Sequence, residues 1–264
     1  IDTDPYSIWR SSVVEGISAW ILNVILDAEL YDVRSEILTL EGGITRSIRV
    51  NINGRNRKIV NHLNRILSLI IKGGDRGYEK ARLVVTQRQK GVRSVSVYAT
   101  KIKEGGEVPV ALDLNSLSSG ELALFTVFAD IIQLAERTGW SGAELSEISG
   151  VVLIDELDVH LHVTLQLEIV QELFRVFSGI QFIATGHSPF MLMGINEEHC
   201  SIVSMPSGKV IPPSQYSEFQ HAYERFNEHG RTREAALSAV IEALKAGAKP
   251  LIATEGKTDI DHIQ

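Results

Sequence analysis

Val151-Val152-Leu153-Ile154-Asp155-Glu156 decides the reading of this chain: four apolar residues joined directly to two carboxylates. A short, continuous apolar run is the pattern of a strand covered on both faces. Acids at the carboxyl end of such a strand stand where α/β proteins gather their ligands. There Asp155 can hold a divalent cation such as Mg2+ while Glu156 polarises an attacking water. The plain alternative is a strand that simply ends in a polar turn. The adjoining residues, Leu157-Asp158-Val159-His160-Leu161-His162, weaken that alternative by adding a third acid and two imidazoles.

Toward the carboxyl end, a helix expected from about Thr164 to Phe177 leads to a second apolar strand, Ile180 to Ala184, which ends at Thr185-Gly186-His187-Ser188-Pro189. An imidazole placed there can donate a hydrogen bond to a terminal phosphate and register its loss after hydrolysis. A serine-hydrolase role for Ser188 is excluded, because no Gly-x-Ser-x-Gly elbow surrounds it. His160 and His162 are two residues apart and match no His-Glu-x-x-His zinc helix. Toward the amino end, Leu117-Ser118-Ser119-Gly120-Glu121 opens a helix that runs to Glu136. Such a loop turns backbone amides and a hydroxyl toward an incoming anion, where the helix dipole favours it. On these five residues alone a plain N-cap, serine before the helix and glutamate within its first turn, is the favoured reading.

Further out, apolar spacing predicts a long amphipathic helix over Ser7 to Leu30 and another over Asn61 to Ile71, ended by Gly73-Gly74. Alternating runs at Ser47 to Gly54 and Val95 to Ala99 read as strands, so the first part of the chain is expected to be rich in strands. A short strand pair, Ser201 to Ser204 and Lys209 to Ile211, precedes helices over 217–226 and 231–246. Pro250 then introduces a last strand, Leu251 to Thr254, that runs into Glu255-Gly256-Lys257-Thr258-Asp259. Helices alternating with apolar strands from Leu117 onward make the fold class α/β.

Composition bounds the rest. With 264 residues, 44% apolar and 22% charged, the chain can bury an ordinary globular core. Cys200 is the single cysteine, which excludes an internal disulfide or a cysteine-based zinc site and fits a reducing cytoplasm. No apolar run reaches the roughly 18 residues that cross a bilayer, and the first residues lack the order of a signal peptide. The formal charge is −7, yet Ile44 to Arg93 carry thirteen Lys or Arg against two acids, Asp75 and Glu79. That stretch is either a solvated face or a contact surface for a phosphate backbone, with affinity from counterion release.

Taken in order, these motifs resemble the ABC-type ATPases, particularly their soluble RecF/SMC-like branch, over about residues 112 to 205. Leu117 to Glu121 match the signature loop, with Ser119 where many members have glycine. Asp155 and Glu156 match the Walker B acid and the catalytic glutamate, Asp158 with His160 to His162 matches the D-loop, and His187 matches the switch histidine. The resemblance implies ATP and Mg2+ as cofactors and a homodimer joined through its heads. In it Ser118, Ser119, Gly120, Glu121 and Asp158 of one copy would close over ATP held by the other. Catalysis would fall to Glu156 and His187, and the metal to Asp155.

The family also needs a Gly-x-x-x-x-Gly-Lys-Ser/Thr loop to cradle phosphates, and no stretch of these residues supplies it. Gly256-Lys257-Thr258 has Leu251 where the first glycine is required and lies after the acid pair instead of before it. Either the loop lies before Ile1 or the nucleotide site is degenerate; the intact signature, acid pair and histidine favour the first.

Leu251 to Asp259 resemble the opening strand and turn of a Toprim domain, with Glu255 as its first acid for Mg2+ or Mn2+; one more strand-turn-helix of the ATPase lobe is the alternative. An ATPase head running into a Toprim segment resembles the OLD (overcoming lysogenisation defect) nucleases. That order implies an ATP-regulated, metal-dependent DNA nuclease used in bacterial defence against phage. The competing reading is a RecF/SMC-like ATPase that clamps DNA or switches a separate partner protein without cutting. A transporter subunit is disfavoured, since it would not continue into such a strand. The expected division is residues 1–110 for the amino-terminal helix and strand-rich part, 111–215 for the ATPase core lobe, 216–248 for a helical linker and 249–264 for the start of the Toprim domain.

Overall fold

The first helix, α1 (Ser12–Leu30), buries Ile17, Ile21, Val24 and Ala28 along one stripe, the spacing that an amphipathic helix requires. The computed structural model describes residues 12–39, 45–73, 77–87, 93–102, 105–193 and 200–211. Two compact units divide the chain, residues 1–196 and 197–264. The helices expected over 217–226 and 231–246, the last strand and Glu255 lie outside the described residues.

In the first unit α1 leads into an exposed antiparallel hairpin, β1 (Val33–Thr39) and β2 (Thr45–Asn51), and then into α2 (Arg55–Gly73). Helix α2 starts six residues earlier than the apolar spacing from Asn61 suggests, and the reason is a cap from a distant residue. Asp32, almost fully buried, accepts a 2.6 Å hydrogen bond from the backbone N–H of Arg57. Its charge also offsets three cations, Arg55, Arg57 and Lys58, gathered at the positive end of the helix dipole. The guanidinium of Arg57 reaches back to the Ala28 carbonyl and the Glu29 carboxylate, fastening α2 to the end of α1.

Helix α2 is the spine of the core. Its buried face, Ile59, Leu63, Ile66, Leu67, Ile70 and Ile71, packs on α1, on the three-stranded antiparallel sheet β3 (Tyr78–Val85), β4 (Val95–Lys101) and β5 (Glu107–Ala111), and on α3 (Ser119–Arg137). The sheet turns Ala81, Leu83, Val95, Val97 and Ala99 inward. Among the described residues from Ser12 to Ala111 the two helices that the apolar spacing predicts, α1 and α2, are 19 residues each and stand beside β1 to β5.

Two parallel strands carry the next part of the first unit. Strand β6 (Gly150–Ile154) pairs in register with β7 (Ile180–Ala184), from Gly150 opposite Ile180 to Ile154 opposite Ala184. Phe182 stacks on Phe174 at 4.3 Å between ring centroids, and both lie near Phe128 of α3, which joins the strands to the main core. The crossover from β6 to β7 is a π-helical turn, Leu165–Ile169, running into α4 (Val170–Val176), where the sequence suggests one regular helix. The continuous apolar run of β6 suggests two covered faces, but Val151, Leu153 and Ile183 are 60%, 74% and 50% exposed. Among the described residues only the inward face of this pair is covered. A short helix, α5 (Pro189–Met193), comes after β7. In the second unit β8 (Ile202–Ser204) and β9 (Lys209–Ile211) form an antiparallel pair, as the sequence suggests. No described helix is long and apolar enough to cross a membrane.

Candidate functional site

The chemistry-bearing residues of the first unit meet where the parallel strands end. The ladder continues one step past β6, with the Thr185 N–H donating to the Ile154 carbonyl at 2.9 Å and Leu157 N–H donating to the Thr185 carbonyl at 3.0 Å. Those two bonds hold Asp155 and Glu156 level with Thr185. Side chains then lace the two strand ends together. The Thr185 hydroxyl donates to Oδ1 of Asp155 and accepts from the N–H of Glu156 at 2.9 Å. Glu156 sits at φ 50°, a left-handed conformation uncommon for a glutamate, and the bond to Thr185 is one of the contacts that hold it there. Asp155, Glu156 and His187 are all exposed.

Asp158 completes the lacing from the other direction. Its Oδ2 accepts from the His187 N–H at 3.1 Å, which fixes the histidine loop against the acid turn. Gly186 permits this approach: a Cβ there would lie 2.8 Å from Asp158 Oδ1. The turn itself is anchored by Leu157 and Leu161, both buried, and by Gln166, whose amide donates to the carbonyls of Leu161 at 2.8 Å and Asp158 at 3.3 Å. Gln166 lies in the π-helical turn, and such turns recur at functional sites.

The loop Leu117 to Glu121 reaches this turn as well. Gly120 lies so close to the turn that follows the acids that a Cβ on it would stand 2.5 Å from the His160 carbonyl oxygen and 3.3 Å from Leu161 Cα. The N-cap reading of Leu117 to Glu121 is what the structure shows, since the loop is a full capping box. Ser118 N–H and Oγ donate to Glu121 Oε2 at 3.0 and 2.8 Å, and the Glu121 N–H donates back to Ser118 Oγ at 3.4 Å. Glu121 is 3% exposed, so its carboxylate shapes the loop from within while Ser118 and Ser119 stay open to solvent.

The donor set suits a hard cation that also binds phosphate. Asp155 offers carboxylate oxygen at an exposed strand end, and Asp158 Oδ1 is buried without a hydrogen-bond partner among the described residues. Among those residues no three His, Cys, Asp or Glu converge as a metal cage. Mg2+ bound through one carboxylate, with the remaining positions taken by water and phosphate, needs none. His160 and His162 are exposed and do not join the cluster through any hydrogen bond of their rings to it; the His162 ring accepts from Thr164 N–H at 3.4 Å. Thr185 and Gln166 were not legible as site residues in the sequence. Thr185 had a signal, since it is the first residue past β7 and the partner of the first residue past β6.

Comparison with known proteins places these features in company. Residues 22–193, well over half the chain, match a family model described as "AAA domain, putative AbiEii toxin, Type IV TA system". The chain is similar to "Retron Vc95 probable ATPase" of Vibrio cholerae serotype O1 biovar El Tor, at 37% identity over 105 residues, 40% of this chain and 20% of that protein. It is also similar to "Septu protein PtuA" of Bacillus mycoides (strain KBAB4), at 36% identity over 90 residues, 34% of this chain and 12% of that protein. These matches thus span a fifth or less of the curated relatives' own length. Among solved structures, an SMC ATPase described under "Structural biochemistry of ATP-driven dimerization and DNA stimulated activation of SMC ATPases" aligns at 21% identity and a TM-score of 0.36, over 65% of this chain and 91% of that one.

Proposed function

This chain belongs to the AAA-domain family that its residues 22–193 match, and from that membership we propose that it hydrolyses ATP at the carboxyl ends of β6 and β7. The observation that carries the reading is the lacing of Asp155 and Glu156 to the His187 loop through Thr185 and Asp158, with both acids and the imidazole left exposed. Asp155 would hold Mg2+, Glu156 would orient the attacking water and His187 would donate to the terminal phosphate. A bound Mg2+ supplies charge neutralisation on the phosphates. Ser118 and Ser119 of a second copy close over the nucleotide, and Glu121 acts from inside the loop by holding its shape.

The phosphate-cradling loop is not among these 264 residues. The uncovered apolar face of β6 and β7 supports a further layer of polypeptide there, because parallel strands are ordinarily covered on both faces. Glu156→Gln is expected to leave ATP binding and dimerisation in place and to lower turnover by about 10²- to 10⁴-fold. Unchanged hydrolysis, measured on the intact protein, contradicts the role given to Glu156.

Two finer readings extend this one. The Toprim-like run Leu251 to Asp259 supports coupling to metal-dependent DNA cleavage in defence against phage, in Mg2+ or Mn2+; cleavage by the intact protein that survives Glu255→Ala would count against it. The curated relative named as a probable ATPase of a retron supports the ATPase reading itself; the alternative to cleavage is an ATPase that clamps DNA or switches a separate partner protein. A groove between α2 and β3, lined in part by Arg65 and Lys80, supports DNA as a ligand in either case.

A further inference from the structure

We propose that Thr185 is the positioning residue of this site, a hydroxyl on one strand that sets both acids on the next; the proposal rests on the ATPase reading above. Its single proton goes to Asp155 Oδ1, and its oxygen accepts from the N–H of Glu156. One carboxylate oxygen of Asp155 is thereby committed to the protein, which leaves the other to engage a cation. The Glu156 backbone is held at φ 50° by the same group, so the direction in which the glutamate leaves the chain depends on a neighbour 29 residues away.

Position makes the hydroxyl more than a local tie. Thr185 stands two residues before His187, whose N–H is held by Asp158 Oδ2 on the acid turn. The acid turn and the histidine loop are therefore joined by side-chain bonds running both ways, Thr185 to Asp155 and Glu156, and Asp158 to His187. A shift of the histidine loop, when its phosphate partner is lost, is carried to the acids through Thr185. No other described side chain hydrogen-bonds to the main chain of Glu156.

The test compares the intact protein with Thr185→Val, Thr185→Ser and Thr185→Ala. Two quantities are read: steady-state ATP hydrolysis, and the Mn2+ concentration that gives half of the ATP-dependent rise in melting temperature. Thr185→Val keeps the shape and removes the hydroxyl. It is expected to lower kcat by about 10- to 100-fold, with KM for ATP changed by less than about threefold, and to raise the Mn2+ midpoint several-fold. Thr185→Ser, which keeps the hydroxyl, is expected to stay within about threefold of wild type on both. Thr185 is exposed, so all three variants should fold, and Thr185→Ala provides a second hydroxyl-free protein should valine disturb the strand end.

Hydroxyl-free variants with wild-type kcat and Mn2+ midpoint overturn the proposal. So does a serine variant as impaired as valine, since the methyl would then be the group that matters. A wild-type protein that binds ATP with Mn2+ yet turns none over defeats the hydrolysis reading alone; Thr185 is then judged by the Mn2+ midpoint.

Discussion

Glu156 and His160 both adopt positive φ, at 50° and 65°, within one short turn, and neither is a glycine. Such conformations cost about 1–3 kcal/mol each and persist where surrounding bonds over-determine them. Here the bonds come from Thr185, from Gln166 and from the buried anchors Leu157 and Leu161. Gly120 belongs to the same arrangement, because its missing side chain is what lets the loop Leu117 to Glu121 touch the turn. Gly120→Ala would drive a methyl to 2.5 Å from the His160 carbonyl, against backbone that cannot rotate away. The expected cost is about 1–3 kcal/mol in urea denaturation, with a loss of ATPase activity from a displaced turn. A variant as stable and active as wild type would mean that the loop and the turn move apart freely.

Secondary elements explain why the turn is held so firmly. Helix α3 begins with the capping box at Ser118 and carries Phe128 into the aromatic group of Phe174, Phe177 and Phe182, so the loop before α3 and strand β7 share one packed support. The β3-β4-β5 sheet is pinned differently, on its open face. Arg82 grips Glu107 through two 2.7 Å hydrogen bonds across the intervening strand and lies over the Tyr98 ring at 5.9 Å. The hydrogen bonds from Arg82 hold the Glu107 carboxyl below its usual value, and those to Glu107 raise that of Arg82. Glu107 therefore adds stability that is full above the ordinary carboxylate range and is lost as pH falls through its lowered value. Thermal melts of wild type and Glu107→Gln should differ near neutral pH and converge in acid. A difference that grows on acidification would reverse the sign and contradict the pairing.

At the scale of the molecule, charge is sorted by surface. Helix α2 has no acidic residue, and with β3 it forms the groove lined in part by Asn61, Asn64, Arg65, Lys80, Arg82 and Glu107. Arg82 is matched by Glu107, whereas Arg65 and Lys80 are exposed and have no anionic partner among the described residues. If this groove tracks a phosphate backbone, replacing Arg65 and Lys80 with alanine weakens DNA binding about equally for all sequences. It also lowers the slope of log affinity against log salt by about 2. An unchanged slope in the double variant assigns DNA contact to another surface, leaving the ATPase site untouched.

The residues themselves determined the fold class, and they offered the acids, the histidine and the small-residue loop of the candidate site. Acids directly after an apolar strand, a histidine soon after the next, and a small-residue loop opening a helix are local patterns, and local patterns survive in sequence because each depends on its nearest neighbours. Tertiary structure alone decided the rest. Thr185 meets Asp155 and Glu156 only because β6 and β7 pair in parallel register, and Asp32 caps α2 only because α1 packs against it. Gly120 is required only because the turn at His160 and Leu161 comes to rest on it. Each of these is a contact between residues far apart along the chain, set by strand register and helix packing, which no local spacing encodes.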